Sequence, residues 1–245
     1  MNSERTFVGI IVLSLATLSW SLTILNVGPV VGMPTLPIAT FDVLLFLVVW
    51  TVGMIAMMFP TSVPMLLMYL HVGKSSTGEV RAGGGPTPTK ALIFVGTYIS
   101  LWVGMGLLFY VAMAYILAFL PTDASIFVGS SLGLGLGLIL VAAYQLSPIK
   151  STCLSRCHPS SFLFQHYKGG VSGSALMGVD YAKYCIGCCW VMMAFLMVSA
   201  SMGIGWMAAF AGIIFVERAF PIKNWMPRLF GLGFLAAGAA MVLVG

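Results

Sequence analysis

All five cysteines of the chain, with two of its three histidines, lie between Tyr144 and Trp190. They form two groups. Cys153 and Cys157 stand in Tyr-Gln-Leu-Ser-Pro-Ile-Lys-Ser-Thr-Cys-Leu-Ser-Arg-Cys-His-Pro (144–159), and Cys185, Cys188 and Cys189 in Tyr-Cys-Ile-Gly-Cys-Cys-Trp (184–190). On a helix, residues three and four apart share a face. Cys153 and Cys157 therefore make one short ladder of thiols, and Cys185, Cys188 and Cys189 a second that Met192 extends by a turn. Two ladders on facing helices supply four of the five thiols to one tetrahedral or trigonal ion, with His158 as a substitute ligand. Thiolates select soft ions: Cu(I), Zn or an iron–sulfur cluster. The spacing matches no standard zinc-finger or ferredoxin pattern. Copper is the first reading and zinc the alternative.

The bland reading treats each cysteine as a small buried hydrophobe. Confinement of all five to two clusters favours metal or thiol chemistry instead. Around the first group, Ser151 or Thr152 can cap a short helix, and Pro159 turns His158 away from helical geometry. Lys150, Arg156 and Lys183 are close in sequence, and a helix starting at Tyr184 would add its positive N-terminal end. Both would favour the negative charge of a thiolate. His166, in an aromatic and basic stretch, and His71 suit a membrane interface.

The elements that must position these groups are apolar. Hydrophobic residues make up 60% of the 245 residues and charged ones only 7%, against roughly 25% charged in a soluble domain. Mean hydropathy is +1.06. A hydrocarbon core takes about 20 apolar residues to cross. Seven spans fit the sequence, at 7–25, 43–70, 91–119, 126–146, 184–201, 203–217 and 229–244. They predict an all-α, polytopic helical bundle forming one membrane domain over 1–245, with a cysteine-bearing loop at 147–183. The first span reads as a membrane helix rather than a signal peptide, because no clean Ala-x-Ala cleavage site follows it. The net charge of +5 sets topology rather than nucleic-acid binding. All eleven Lys and Arg residues fall at the N-terminus and in 71–90, 147–183 and 218–228, and none in the intervening loops. Basic residues accumulate on the cytoplasmic side, which puts the N-terminus inside, the C-terminus outside and the cysteines near the cytoplasmic face. Thiols there stay reduced.

The second span holds a methionine stripe, Met54, Met58, Met65 and Met68 with Thr61. It reads as adaptable packing around a kink at Pro60 and Pro64, which free backbone carbonyls, rather than as a copper path. Gly129, Gly133 and Gly137 repeat at a spacing that lets helices approach closely, for internal packing or for an oligomer contact. No ionisable residue falls in the middle of a span, which disfavours a proton-driven transporter. Glu217 and Arg218 are expected to pair near the interface. Asp180 or Glu217 as a carboxylate ligand is a weaker reading. No nucleophile–base arrangement, phosphate loop or zinc-protease motif appears.

Several unusual motifs occur in one order: Trp50-x3-Met54-x-Ala56-Met57-Met58-x-Pro60, then Tyr144-Gln145-x2-Pro148-x-Lys150-x2-Cys153-Leu154-x2-Cys157-x-Pro159, Met177-Gly178, Cys185-x-Gly187-Cys188-Cys189-Trp190-x-Met192-Met193 and Glu217-Arg218. In these the chain resembles a prokaryotic family described as predicted metal-binding integral membrane proteins, over roughly 41–245. The resemblance implies a multi-pass protein of a prokaryotic plasma membrane and supports the cysteines as metal ligands. The family pattern often has Arg where this chain has His158, and a His-Gly pair where it has Tyr181 and Ala182. A family histidine ligand at that place is absent here.

The sequence thus predicts a non-enzymatic membrane protein that binds a soft ion through Cys153, Cys157, Cys185, Cys188 and Cys189. It would handle the metal or deliver it to a membrane metalloenzyme. One alternative is a structural subunit of a larger membrane complex. A further one is a membrane thiol oxidoreductase using Cys185–Cys188 or Cys188–Cys189.

Overall fold

The computed structural model describes residues 2–26, 40–74, 80–82, 87–119, 130–198, 203–219 and 225–244. The expected all-α architecture is present. The described residues form α1 (Asn2–Asn26), α2 (Thr40–His71), α3 (Pro88–Phe119), α4 (Ser131–Gln145), α5 (Pro148–Cys157), α6 (Pro159–His166), α7 (Gly170–Val198), α8 (Ile204–Ala219) and α9 (Trp225–Val244). Between α2 and α3, a short antiparallel pair, β1 (Val72–Lys74) and β2 (Val80–Ala82), sets Val72 opposite Ala82.

Among the described residues, four helices are long and apolar enough to cross a membrane, over Thr40–His71, Thr89–Ile116, Gly170–Val198 and Trp225–Val244. The α4–α5 pair, bent by 64° at Leu146–Ser147, makes a fifth if it counts as one broken span. Of the other expected spans, the first falls on α1, whose apolar stretch is Leu13–Leu25, and the sixth on the 16-residue α8. Exposed apolar side chains such as Leu44, Val48, Leu92, Leu108, Leu140 and Leu232 suit a lipid solvent, since contiguous apolar surface in water drives association.

Residues 147–183, expected as a loop, are mostly helical. They contain α5, α6 and the first half of α7, so the described part of the expected span 184–201, up to Val198, is the second half of a 29-residue helix. Local chemistry explains the breaks. Ser147 caps α5 by accepting the Lys150 N–H, with Pro148 at the first helical position, where its missing N–H costs nothing. Ser147, rather than Ser151 or Thr152, is the cap. Pro159 then starts α6 and leaves His158 extended at φ −65° and ψ 133°.

Packing is set by close backbone approach and by freed carbonyls. Pro60 lies inside α2 and has no N–H to offer the Ala56 carbonyl. The Trp20 indole of α1 donates to that oxygen at 2.9 Å, joining the two helices. Helix α3 packs between α2 and α7, α5 lies on α7, α8 on α2, and α9 on α4. A Cβ at Gly135 would lie 2.8 Å from the Gly238 carbonyl, and one at Gly238 would lie 2.7 Å from the Gly135 carbonyl. The small-residue face of α4 thus meets α9 at Gly135. Gly133 is buried and Gly137 half-buried on the same helix, and Gly129 lies outside the described residues.

Candidate metal centre

Five helices converge on the thiols. Helix α5 contributes Cys157, its last residue, and α7 contributes Cys185, Cys188 and Cys189; all four are buried, at 0 to 3% exposure. Cys157 interacts side chain to side chain with Cys185 and Cys188, and Cys189 does the same. Within α7, the thiols of Cys188 and Cys189 donate to the Cys185 carbonyl at 3.1 and 3.0 Å, one turn back along the helix. The two predicted ladders therefore do face one another. All five cysteines are free thiols.

The cation among the thiols is Arg218. Its Nη2 donates to Cys185 Sγ at 2.7 Å and lies 3.5 Å from Cys188 Sγ. Its Nη1 donates to Thr61 Oγ1 at 3.0 Å, and Thr61 in turn donates to the Met58 carbonyl at 2.8 Å in the proline-bearing part of α2. The Arg218 Nε–H is buried with no acceptor among the described residues. From α3, Tyr98 brings its hydroxyl to 3.1 Å from Cys185 Sγ. Cys185 is thus bonded to a guanidinium, a phenol and, through its carbonyl, two further thiols.

Of the three cations expected near the thiols, Lys150 and Lys183 are paired elsewhere. Lys150, fully buried, binds Glu217 Oε2 at 2.8 Å, and Gln145 bridges the two by hydrogen bonds to both. Arg156 lies over the Tyr184 ring at 5.7 Å. Lys183 pairs with Asp180, which also takes Lys168. Cys185 stands in the middle of α7, about 15 residues past its start, so the dipole of the helix N-terminus does not reach it. The expected Glu217–Arg218 pair is replaced by two separate engagements. Neighbours on a helix do not face each other, so Glu217 turns to Lys150 and Arg218 to the thiols. Lys150, Glu217 and Arg218, expected in loops or at the inner boundary of the spans, are therefore buried within the bundle.

The remaining candidates are distributed as follows. Cys153 is half-buried, seated over the α7 backbone where a Cβ at Gly187 would lie 2.8 Å from its Sγ. Met192 is buried one turn beyond Cys188. His158 occupies the α5–α6 junction, its carbonyl accepting from Phe162 at 2.9 Å. His166 belongs to an aromatic group, stacked on Phe162 at 4.9 Å and bonded to the Tyr184 hydroxyl at 3.3 Å. Met54, Met57, Met58 and Met65 are buried in the core around α2, as the packing reading expects.

Among the described residues no three His, Cys, Asp or Glu side chains are disposed as a ready coordination sphere. The thiols are gathered around a guanidinium instead. As a donor set they fit a soft ion: sulfur only, buried, with a fixed positive charge to offset the negative charge that two thiolates bring.

A family model described as copper chaperone (PpoB2) matches residues 47–241. The chain belongs to this copper chaperone family. The match spans all five cysteines, the Lys150–Glu217 pair and Arg218, and leaves all of α1 and the first turns of α2 outside. It supports copper handling and agrees with an ion chosen by sulfur. No curated protein and no solved structure matches the chain.

Proposed function

We propose that the protein binds Cu(I) at the buried thiols of Cys157, Cys185, Cys188 and Cys189 near the cytoplasmic face of a prokaryotic plasma membrane. It passes the ion to a copper enzyme of that membrane. The observation that carries this reading is the gathering of four buried thiols from α5 and α7, two of which, Cys185 and Cys188, meet Arg218. Cu(I) is the metal that combines the family's copper chemistry with an all-sulfur donor set; zinc is the alternative occupant. Copper is cargo here. The chain's own residues gather the sulfurs, exclude water and balance charge.

The spans complete this reading. Of exposed Lys168 and Lys183 around Asp180, Lys168 lies just before α7 and Lys183 near its middle, two residues before Cys185. With the positive-inside distribution they support a cytoplasmic origin for α7, an N-terminus inside and seven crossings. The thiols then lie one to two turns inside the membrane boundary. X-ray absorption on protein in lipid nanodiscs, loaded anaerobically with Cu(I), tests the site. Sulfur scatterers alone around the copper support it, and a nitrogen- or oxygen-dominated shell rejects it.

A further inference from the structure

We propose that Cys153 is the entry thiol of the centre, through which copper passes between water-exposed donors and the four buried sulfurs. The inference rests on the copper reading above and assigns Cys153 a different role from the other cysteines. Four thiols are sealed from solvent, and Cys153 alone of the five is partly open. It stands one turn before Cys157 on the same face of α5, between the exposed Thr152, Ser155 and Arg156 and the buried cluster. Gly187 makes this seat possible. The sulfur rests 2.8 Å from where a Cβ would stand, closer than any side chain permits, and one residue from Cys188. A ladder of sulfur thus runs from the surface at Cys153 to the interior at Cys188 and Cys185.

Cuprous ions move between thiolates by addition and release without leaving sulfur. In the first step a Cu–S bond to Cys153 forms while one bond from copper to a thiol-bearing donor breaks. Copper stays Cu(I), no electron moves, and the Cys153 proton passes to the released donor sulfur. In the second, Cys188 and Cys185 add from the inside while Cys153 and the donor's remaining sulfur leave, and the two protons of the incoming thiols pass to the two leaving sulfurs. Delivery runs through the same steps in reverse.

The test mixes full-length protein in detergent, without oxygen, with the chromophoric Cu(I)–bicinchoninate complex, and follows transfer rate and final copper content separately. Cys153→Ser is expected to reach the parent's final content with loading slowed by about tenfold, because a hydroxyl is a poor ligand for a soft ion. Gly187→Ala keeps the thiol and favours the helix, but displaces the sulfur from its seat, and is expected to slow loading likewise. Parent-like rates in Cys153→Ser overturn the proposal. So does loss of its final copper, which would make Cys153 a ligand of the centre. The double variant Cys185→Ser/Cys188→Ser separates the two readings. If it binds parent amounts of copper, the buried centre is wrong. If it binds none while Cys153→Ser loads fast, the entry role alone is wrong.

Discussion

The guanidinium of Arg218 reaches from the last turn of α8 to within 2.7 Å of Cys185 Sγ in the middle of α7, so the cation of the centre is a protein side chain. Two thiolates holding one cuprous ion carry a net negative charge. At a buried site that charge is costly without a partner. Arg218 supplies it.

Replacing Arg218 with Met removes both the charge and the donors to sulfur. Hydrogen bonds to charged groups contribute about 1.5 to 3 kcal/mol, which corresponds to a loss of about ten- to a hundredfold in Cu(I) affinity. Arg218→Lys should recover part of it, since an ammonium keeps the charge but not the fork that reaches Thr61 and Cys185 together. Competition against a Cu(I) chelator measures both. Affinity equal to or above the parent's in Arg218→Met contradicts the role.

The Lys150–Glu217 pair, at 2.8 Å with both side chains almost fully buried, ties α5 to α8 and so fixes Cys157 relative to Arg218. Removing one partner strands a buried charge. Lys150→Met or Glu217→Gln alone is expected to lower stability by about 3 kcal/mol, and the double variant by much less than the sum. Thermal unfolding in detergent gives the comparison. Additive losses would mean that the two residues act independently.

Two glycines of α7 should respond oppositely to alanine. A Cβ at Gly178 would lie 2.6 Å from the Phe94 backbone carbonyl of α3, which cannot move without shifting a helix. A Cβ at Gly187 meets the end of the Cys153 side chain, which can rotate away. Gly178→Ala is expected to destabilise by about 1 to 3 kcal/mol. Gly187→Ala should be neutral or slightly stabilising, because alanine is the better helix former. Equal destabilisation of both would show that the Cys153 seat is rigid.

The thiol ladders were legible because helical spacing alone puts Cys185, Cys188 and Cys189 on one face, and because both groups are bounded by proline or helix signals. The proline-freed carbonyl of Ala56 was legible for the same local reason, although its partner Trp20 was not, being 36 residues away. What escaped was charge. Lys150 and Glu217 are 67 positions apart, and Arg218 meets Thr61 across 157. No periodicity links such pairs. The adjacency of Glu217 and Arg218 pointed to a pair that helix geometry forbids, and that rule was the one signal in the sequence that could have sent Arg218 elsewhere. The long α7 was hidden because its first half, Gly170–Lys183, is polar and glycine-rich, and reads as loop until its packing on α3 is known.

The central claim is that the buried thiols of α5 and α7 hold copper. The most direct measurement is the copper content of detergent-purified protein, reconstituted anaerobically with Cu(I) and dialysed, beside the Cys185→Ser/Cys188→Ser variant. Near-stoichiometric copper in the parent, lost from a variant that still folds, is the predicted result. Copper retained equally by both, or taken up by neither, would contradict it.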